Sequence, residues 1–227
     1  MKIKILILLT FFIFSTINQN AKSDYSIAKN KIETQRKAIK VNYLKASAQE
    51  KKALLQSTKQ VITKNLMSTI IPFWYGTKWS FDGYTAIPKQ GEIACGYFVS
   101  TTLSHAGFKL NRYKLAQKDP KKEAELLQIK GAIEVLEKSP SELKKHFIAT
   151  KKDGLYFVGL DFHVGYLLKE NNEVFFIHSN YINHEGVKKE SITESKAFVS
   201  KKYYIVAITE NEKLVEKWIL NETVLTN

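Results

Sequence analysis

The chain has 227 residues, 44% hydrophobic and 12% aromatic, enough for one globular domain with a sizeable core. Its formal net charge is +13, and the excess is lysine, since arginine occurs only at Arg36 and Arg112. Base readout in nucleic acids leans on bidentate and stacking arginine, so a lysine-dominated field argues against it. The field suits an anionic surface such as a bacterial envelope, and is equally what a lysine-rich genome would produce.

At the start, Lys2 and Lys4 precede an apolar run, Ile5 to Phe14, and then small and polar residues. This is the pattern of a secretory signal peptide over residues 1–21, with cleavage near Ala21. The run is too short to span a bilayer comfortably, and no later segment is long enough, so a mature protein without a membrane span is expected. Without a cysteine after the run, a lipoprotein anchor is excluded. Removing Lys2 and Lys4 leaves a charge of about +11 (13 − 2). The expected location is secreted or periplasmic, in a bacterium.

Residues 22–71 read as a helical N-terminal extension. From Ser26 to Ile70 there is no glycine or proline, and alanine, lysine, glutamine and leucine dominate. Leu54, Val61, Ile62 and Leu66 recur at helical spacing, so the second half should pack on the core. The first half is more polar and reads as a separate, loosely docked helix, with Pro72 ending the run.

Residues 72–227 form the main domain. Phe73 to Gln90 mixes aromatics with turn formers and predicts an irregular segment along one side of a cleft. A helix is expected from Cys95 to about Ala106, with Gly107 as its stop signal. Helical patterning returns between Lys118 and Lys145, broken near Gly131 and Pro140. The period then becomes that of strands at Leu155–Leu160, His163–Leu168, Val174–Ile177 and Tyr203–Ile208, before a closing helix from Glu210 to Leu220. Helices followed by an antiparallel meander make an α+β domain.

Cys95 is the only cysteine, so it cannot form an internal disulfide. It is an intermolecular partner, an inert core residue or a nucleophile. Free cysteines are often buried and inert. At the first turn of a helix, however, a thiol meets partial positive charge that favours the thiolate, and backbone N–H groups can receive a developing oxyanion. Gly96 leaves those amides uncovered.

Two histidines strengthen the nucleophile reading. His163 opens one strand, His178 closes the next, and Lys169 to Asn172 is the turn between them. With Glu170-Asn171 as the turn, positions summing to 341 pair and His163 opposes His178. With Asn171-Asn172, the better turn pair, His163 faces Asn180 and His178 is its diagonal neighbour. In either register a polar partner can hold His163 in one tautomer, as a catalytic base requires. Asp161, two residues along the same strand, is a further candidate orienter. His105 and His146 read as structural, and His184 as a remote loop candidate.

Several segments together carry a resemblance. They are Gly76-Thr77-Lys78-Trp79, Cys95-Gly-Tyr-Phe-Val, Ala106-Gly107-Phe108 with Asn111-Arg112-Tyr113, Asp153-Gly-Leu-Tyr-Phe, His163-Val-Gly-Tyr and Ile177-His178. In this order they resemble the NlpC family of papain-like bacterial cell-wall cysteine peptidases. The likeness covers roughly Trp74 to Asn180. It departs at Ala94 and Gly96, where the family has aspartate and serine, and at Trp79, where it has a tyrosine whose hydroxyl lines the site.

The resemblance implies a papain-like fold with N-terminal helices packed on a central antiparallel sheet. It implies a peptidoglycan hydrolase that cuts amide bonds in stem peptides through a Cys95 thioester, with His163 as base then acid and His178 as its orienter. Trp79, Gly96, Asp82 and Asn180 are the expected substrate contacts. The partner would be peptidoglycan or another anionic envelope component, with no nucleic acid, cofactor or metal. Two other readings are a papain-like amidase or acyltransferase on a different substrate, and a non-catalytic envelope-binding protein that kept the fold.

Overall fold

The structure, a computed structural model, describes the backbone of residues 2–227 and side chains from Ser23 onward. The side chains of the expected signal peptide, residues 1–21, lie outside that description. Helices α1 (Lys2–Lys45) and α2 (Ala48–Lys64) lead through a π-helical turn (Asn65–Ile70) into the short α3 (Ile71–Trp74). The break between α1 and α2 has a local cause. Ser47 accepts from the Glu50 N–H while the Glu50 carboxylate accepts from the Ser47 N–H, a reciprocal cap. Pro72 does not stop the run, which continues to Trp74. Without an N–H, and with its ring crowding the preceding turn, it is preceded by the widened π-helical stretch.

The first half of the extension is docked firmly, against expectation. Tyr25, Ile32 and Tyr43 of α1 are buried in the same core as Ile62, Leu66 and Phe98. Arg36 is buried beside Glu33 at 2.7 Å. The Tyr25 hydroxyl accepts from Trp74 Nε1 at 2.7 Å and lies 2.8 Å from His105 Nδ1, which pins α1 to the end of the cysteine helix.

That helix, α4 (Cys95–His105), is followed by α5 (Arg112–Ala116), α6 (Pro120–Gln128), strand β1 (Glu134–Leu136) and α7 (Pro140–Thr150). Then come β2 (Gly154–Gly159), β3 (Val164–Glu170), β4 (Glu173–Asn180), β5 (Gly186–Ser191), β6 (Tyr203–Ala207) and α8 (Glu212–Leu220). The fold is α+β. The six strands form one antiparallel sheet in the order β1-β6-β2-β3-β4-β5, so β6 returns to pair with β2 outside the β2–β5 meander.

The sheet is covered on both faces, as its alternation requires. Leu155, Phe157, Tyr166, Leu168 and Ile177 face the large core with α1, α4 and α8. Tyr156, Val158, Leu167 and Phe176 face a second core with Leu143 and Phe147 of α7. Helix α4 is anchored by the buried side chains of Phe98, Val99 and Leu103. Burial of each is worth about 1.5–3 kcal/mol.

The hairpin register is the second of the two expected. Glu170 pairs with Glu173 and Tyr166 with Ile177, so paired positions sum to 343 and Asn171-Asn172 is the turn. Both asparagines have positive φ, 50° and 62°, the conformation that a two-residue turn matching strand twist demands.

Candidate active site

Cys95 is the first residue of α4, and its N-cap, Ala94, provides no side-chain acceptor. The amides of the first turn are therefore free to meet charge that develops at the cysteine. The thiol is half-buried, and the N–H groups of Val164, Gly96 and Cys95 itself all favour its anion. The Val164 contact brings the start of β3, which His163 directly precedes, to the sulfur. Cys95 and His163 line one cleft of about 690 Å³, within the size range of small-ligand sites.

His163 Nε2 lies 2.8 Å from His178 Nδ1, and His178 Nε2 lies 3.0 Å from Glu190 Oε1. The cross-strand register alone would make His178 a diagonal neighbour, yet it is the partner. Gly165 permits this. A Cβ there would fall 2.6 Å from the Phe176 ring and 3.0 Å from His178 Cβ. In its absence Phe176 and His178 stack, with centroids 4.0 Å apart, beneath His163.

The protonation states follow from the end of the relay. Burial alone would raise the Glu190 carboxyl, but donors from His178, Lys188 and Ser195 outweigh it and hold it at about 2. An ionised Glu190 accepts from His178 Nε2–H, so His178 Nδ1 must accept from His163 Nε2–H. The remaining nitrogen of His163, Nδ1, then carries the lone pair, so that ring is a base. Burial, with the neighbouring His178, holds His163 well below the usual histidine range. Burial likewise lowers His178, against the pull of Glu190.

The cysteine differs from expectation in its proton. Burial pushes the Cys95 thiol up to about 11, the Glu123 carboxyl adding to the effect. Burial thus favours the neutral form of both the thiol and the imidazole that line the cleft. A helix start alone does not make the thiolate here, because α5 and α6 cover it. Gly96 also has a different task from the one expected. A Cβ there would lie 2.7 Å from the Ala116 carbonyl oxygen and 3.1 Å from Glu123 Oε1, so glycine permits the close approach of α5 and α6.

Of the expected substrate contacts, Trp79 and Gly96 line the cleft and Asp82 and Asn180 do not. Asp82 belongs to a separate depression with Ser80, Tyr84 and Gln90. Both ends of the Asn180 amide are used in the turn after β4, donating to Glu185 and accepting from the Ile182 N–H. Asp161 accepts from the Lys201 N–H and points to that loop instead of to His163. His146 is bonded to Glu134, and His184 packs on the Trp79 ring. Arg112 donates to Thr101 Oγ1 and to the carbonyls of Tyr84 and Thr85, tying the irregular segment to α4.

Glu190 and Glu123 are missing from the sequence reading. Glu190 was legible only through β5, which pairs with β4 and places it diagonally from His178. Glu123 looks like one more surface residue of a charged helix, yet it is 1% exposed, and its Oε2 has no protein partner.

Burial and the Asp119 charge keep the Glu123 carboxyl protonated well above the ordinary carboxylate range. The native state then holds this proton at pH values where the unfolded chain has lost it. Stability falls as pH rises between the unfolded and folded values. Glu123→Gln should therefore gain stability over the native protein as pH rises from 5 to 8, read as a shift in urea midpoint. An identical pH dependence in both proteins would contradict this reading.

Among the described residues there is no helix long and apolar enough to cross a membrane and no cluster of three or more His, Cys, Asp or Glu that could hold a metal ion. No family model, curated protein or solved structure matches the chain.

Proposed function

We propose that this protein is a cysteine hydrolase of NlpC-like, papain-related type, working through a Cys95 thioester. The observation that carries the reading is the shared cleft of Cys95 and His163, with His163 held by His178 and Glu190. In the proposed reaction His163 takes the thiol proton as sulfur attacks a carbonyl carbon. The first-turn amides of α4 receive the oxyanion, and His163 returns the proton to the leaving nitrogen or oxygen. Water, deprotonated by the same ring, then releases the acyl group as an acid.

The resemblance favours an amide bond in peptidoglycan stem peptides, met outside the cytoplasm after export. The aromatic lining of the cleft favours the second reading, an amidase or acyltransferase on a different carbonyl. Incubating the mature protein with purified peptidoglycan and with simple esters separates them. New amino and carboxyl termini in the wall, absent with Cys95→Ala, support the first. Intact wall with Cys95-dependent ester cleavage supports the second. Inertness toward both overturns the enzyme reading in favour of a binding protein.

A further inference from the structure

Phe162 and Phe81 are 96% and 82% exposed, the two most exposed large apolar side chains among the described residues. Single exposed apolar residues need no explanation. These two line the same cleft, Phe162 from the β2–β3 turn directly before His163 and Phe81 from the irregular segment. Trp79, Tyr97 and Tyr181 complete an aromatic wall around Cys95. Lys118 is the sole residue of full formal charge in the lining, because His163 is neutral.

We infer that the cleft holds an apolar acyl chain, and that the substrate is an ester or amide of a medium- to long-chain carboxylic acid. This rests on the Cys95–His163 chemistry proposed above. In that chemistry the leaving group departs first and the acyl group stays tethered to sulfur, so the cleft must accommodate the acyl part for the lifetime of the thioester. A stem-peptide acyl group brings carboxylates and ammonium groups, for which this lining has one cation and no carboxylate. An alkyl chain brings no charge, and covers the Phe81 and Phe162 rings from water.

The bonds balance without a further cofactor. The Cys95 S–C bond forms as the C–O or C–N bond of the substrate breaks, and the thiol proton leaves on the alcohol or amine through His163. Water then breaks the S–C bond, giving the fatty acid and restoring the thiol.

The test uses p-nitrophenyl esters of acetate, butyrate, hexanoate and octanoate with the mature protein, below their micelle concentrations. kcat/KM should climb with chain length, by up to about threefold to fourfold per methylene that becomes buried. In the double variant Phe81→Ser/Phe162→Ser the octanoate-to-acetate ratio should fall at least tenfold. Taking a ratio within each protein cancels any general loss of activity. Cys95-dependent turnover that is flat across the series, or a ratio unchanged in the variant, overturns the acyl-chain inference and leaves the hydrolase reading intact. Failure to cleave any ester above the Cys95→Ala background overturns the acyl-chain inference, and overturns the hydrolase reading as well where purified peptidoglycan is also left intact.

Discussion

Under the proposed thioester chemistry, His163→Ala should lower kcat/KM by about 10²–10⁴-fold, the usual contribution of a positioned general base, with Cys95→Ala at background. The pH profile is the sharper signature. Burial holds His163 well below the ordinary histidine range, so the ring stays basic in mildly acidic solution. The acid limb of activity should therefore lie below the pH at which an exposed histidine titrates. On the other side, the thiol held at about 11 has its proton throughout neutrality. Alkylation by iodoacetamide, which needs the thiolate, should be slow at pH 6 and climb toward alkaline pH. Fast labelling at pH 6 that levels off would instead mean a preformed thiolate–imidazolium pair, the state a helix-start cysteine suggests by itself. The histidines also affect folding: they bind fewer protons in the native state, so stability should drop as pH falls through the unfolded histidine value near 6.5.

His178→Ala should be nearly as damaging, about 10²–10⁴-fold in kcat/KM, because loss of the orienting group of a related triad reaches about 10⁴. Glu190→Gln should cost less, about 10- to 100-fold, a loss of the scale seen when an outer-shell partner of a functional histidine is removed. It keeps an acceptor for His178 but loses the charge that stabilises an imidazolium. A residue that only supported folding would leave the pH profile of the surviving activity in place. Here Glu190→Gln should move the acid limb, since the carboxylate's pull on the ring pair is gone. Asn180→Ala and Asp161→Ala should leave kcat/KM within a few-fold, because their side chains serve other loops. Large losses at either of those positions, with little at His178, would break the relay.

The sequence was most legible where chemistry is local. The Asn171-Asn172 turn, the helix start at Cys95 and the strand positions of His163 and His178 are all set by turn propensity and periodicity. The His163–His178 bond was foreseen, but for an incomplete reason. The register favours Asn180 opposite His163, and the closer partner is decided by the missing side chain of Gly165. Strand β5 was not expected, since Lys188-Lys189-Glu190-Ser191 lacks apolar alternation, and Glu190 was lost with it. The three-residue β1 was too short to show a period. The thiol's high pKa and the burial of Glu123 depend on α5 and α6 folding over the helix start, contacts that no local pattern announces.

Strand β5 has a second consequence, as the outer strand of the sheet beyond β4. At Val187 its backbone pairs outward with Gly76 and Thr77, whereas an edge left open is a template on which another chain can add a strand, and charged side chains are a common defence. Lys188, Lys189 and Glu190 are successive here, the first bridging Glu185 and Glu190, the second reaching Glu170. The polar composition that hid this strand from periodicity thus guards against edge-to-edge aggregation. Apolar substitution at Lys189, outside the histidine relay, would put solubility at risk before it touched the proposed chemistry.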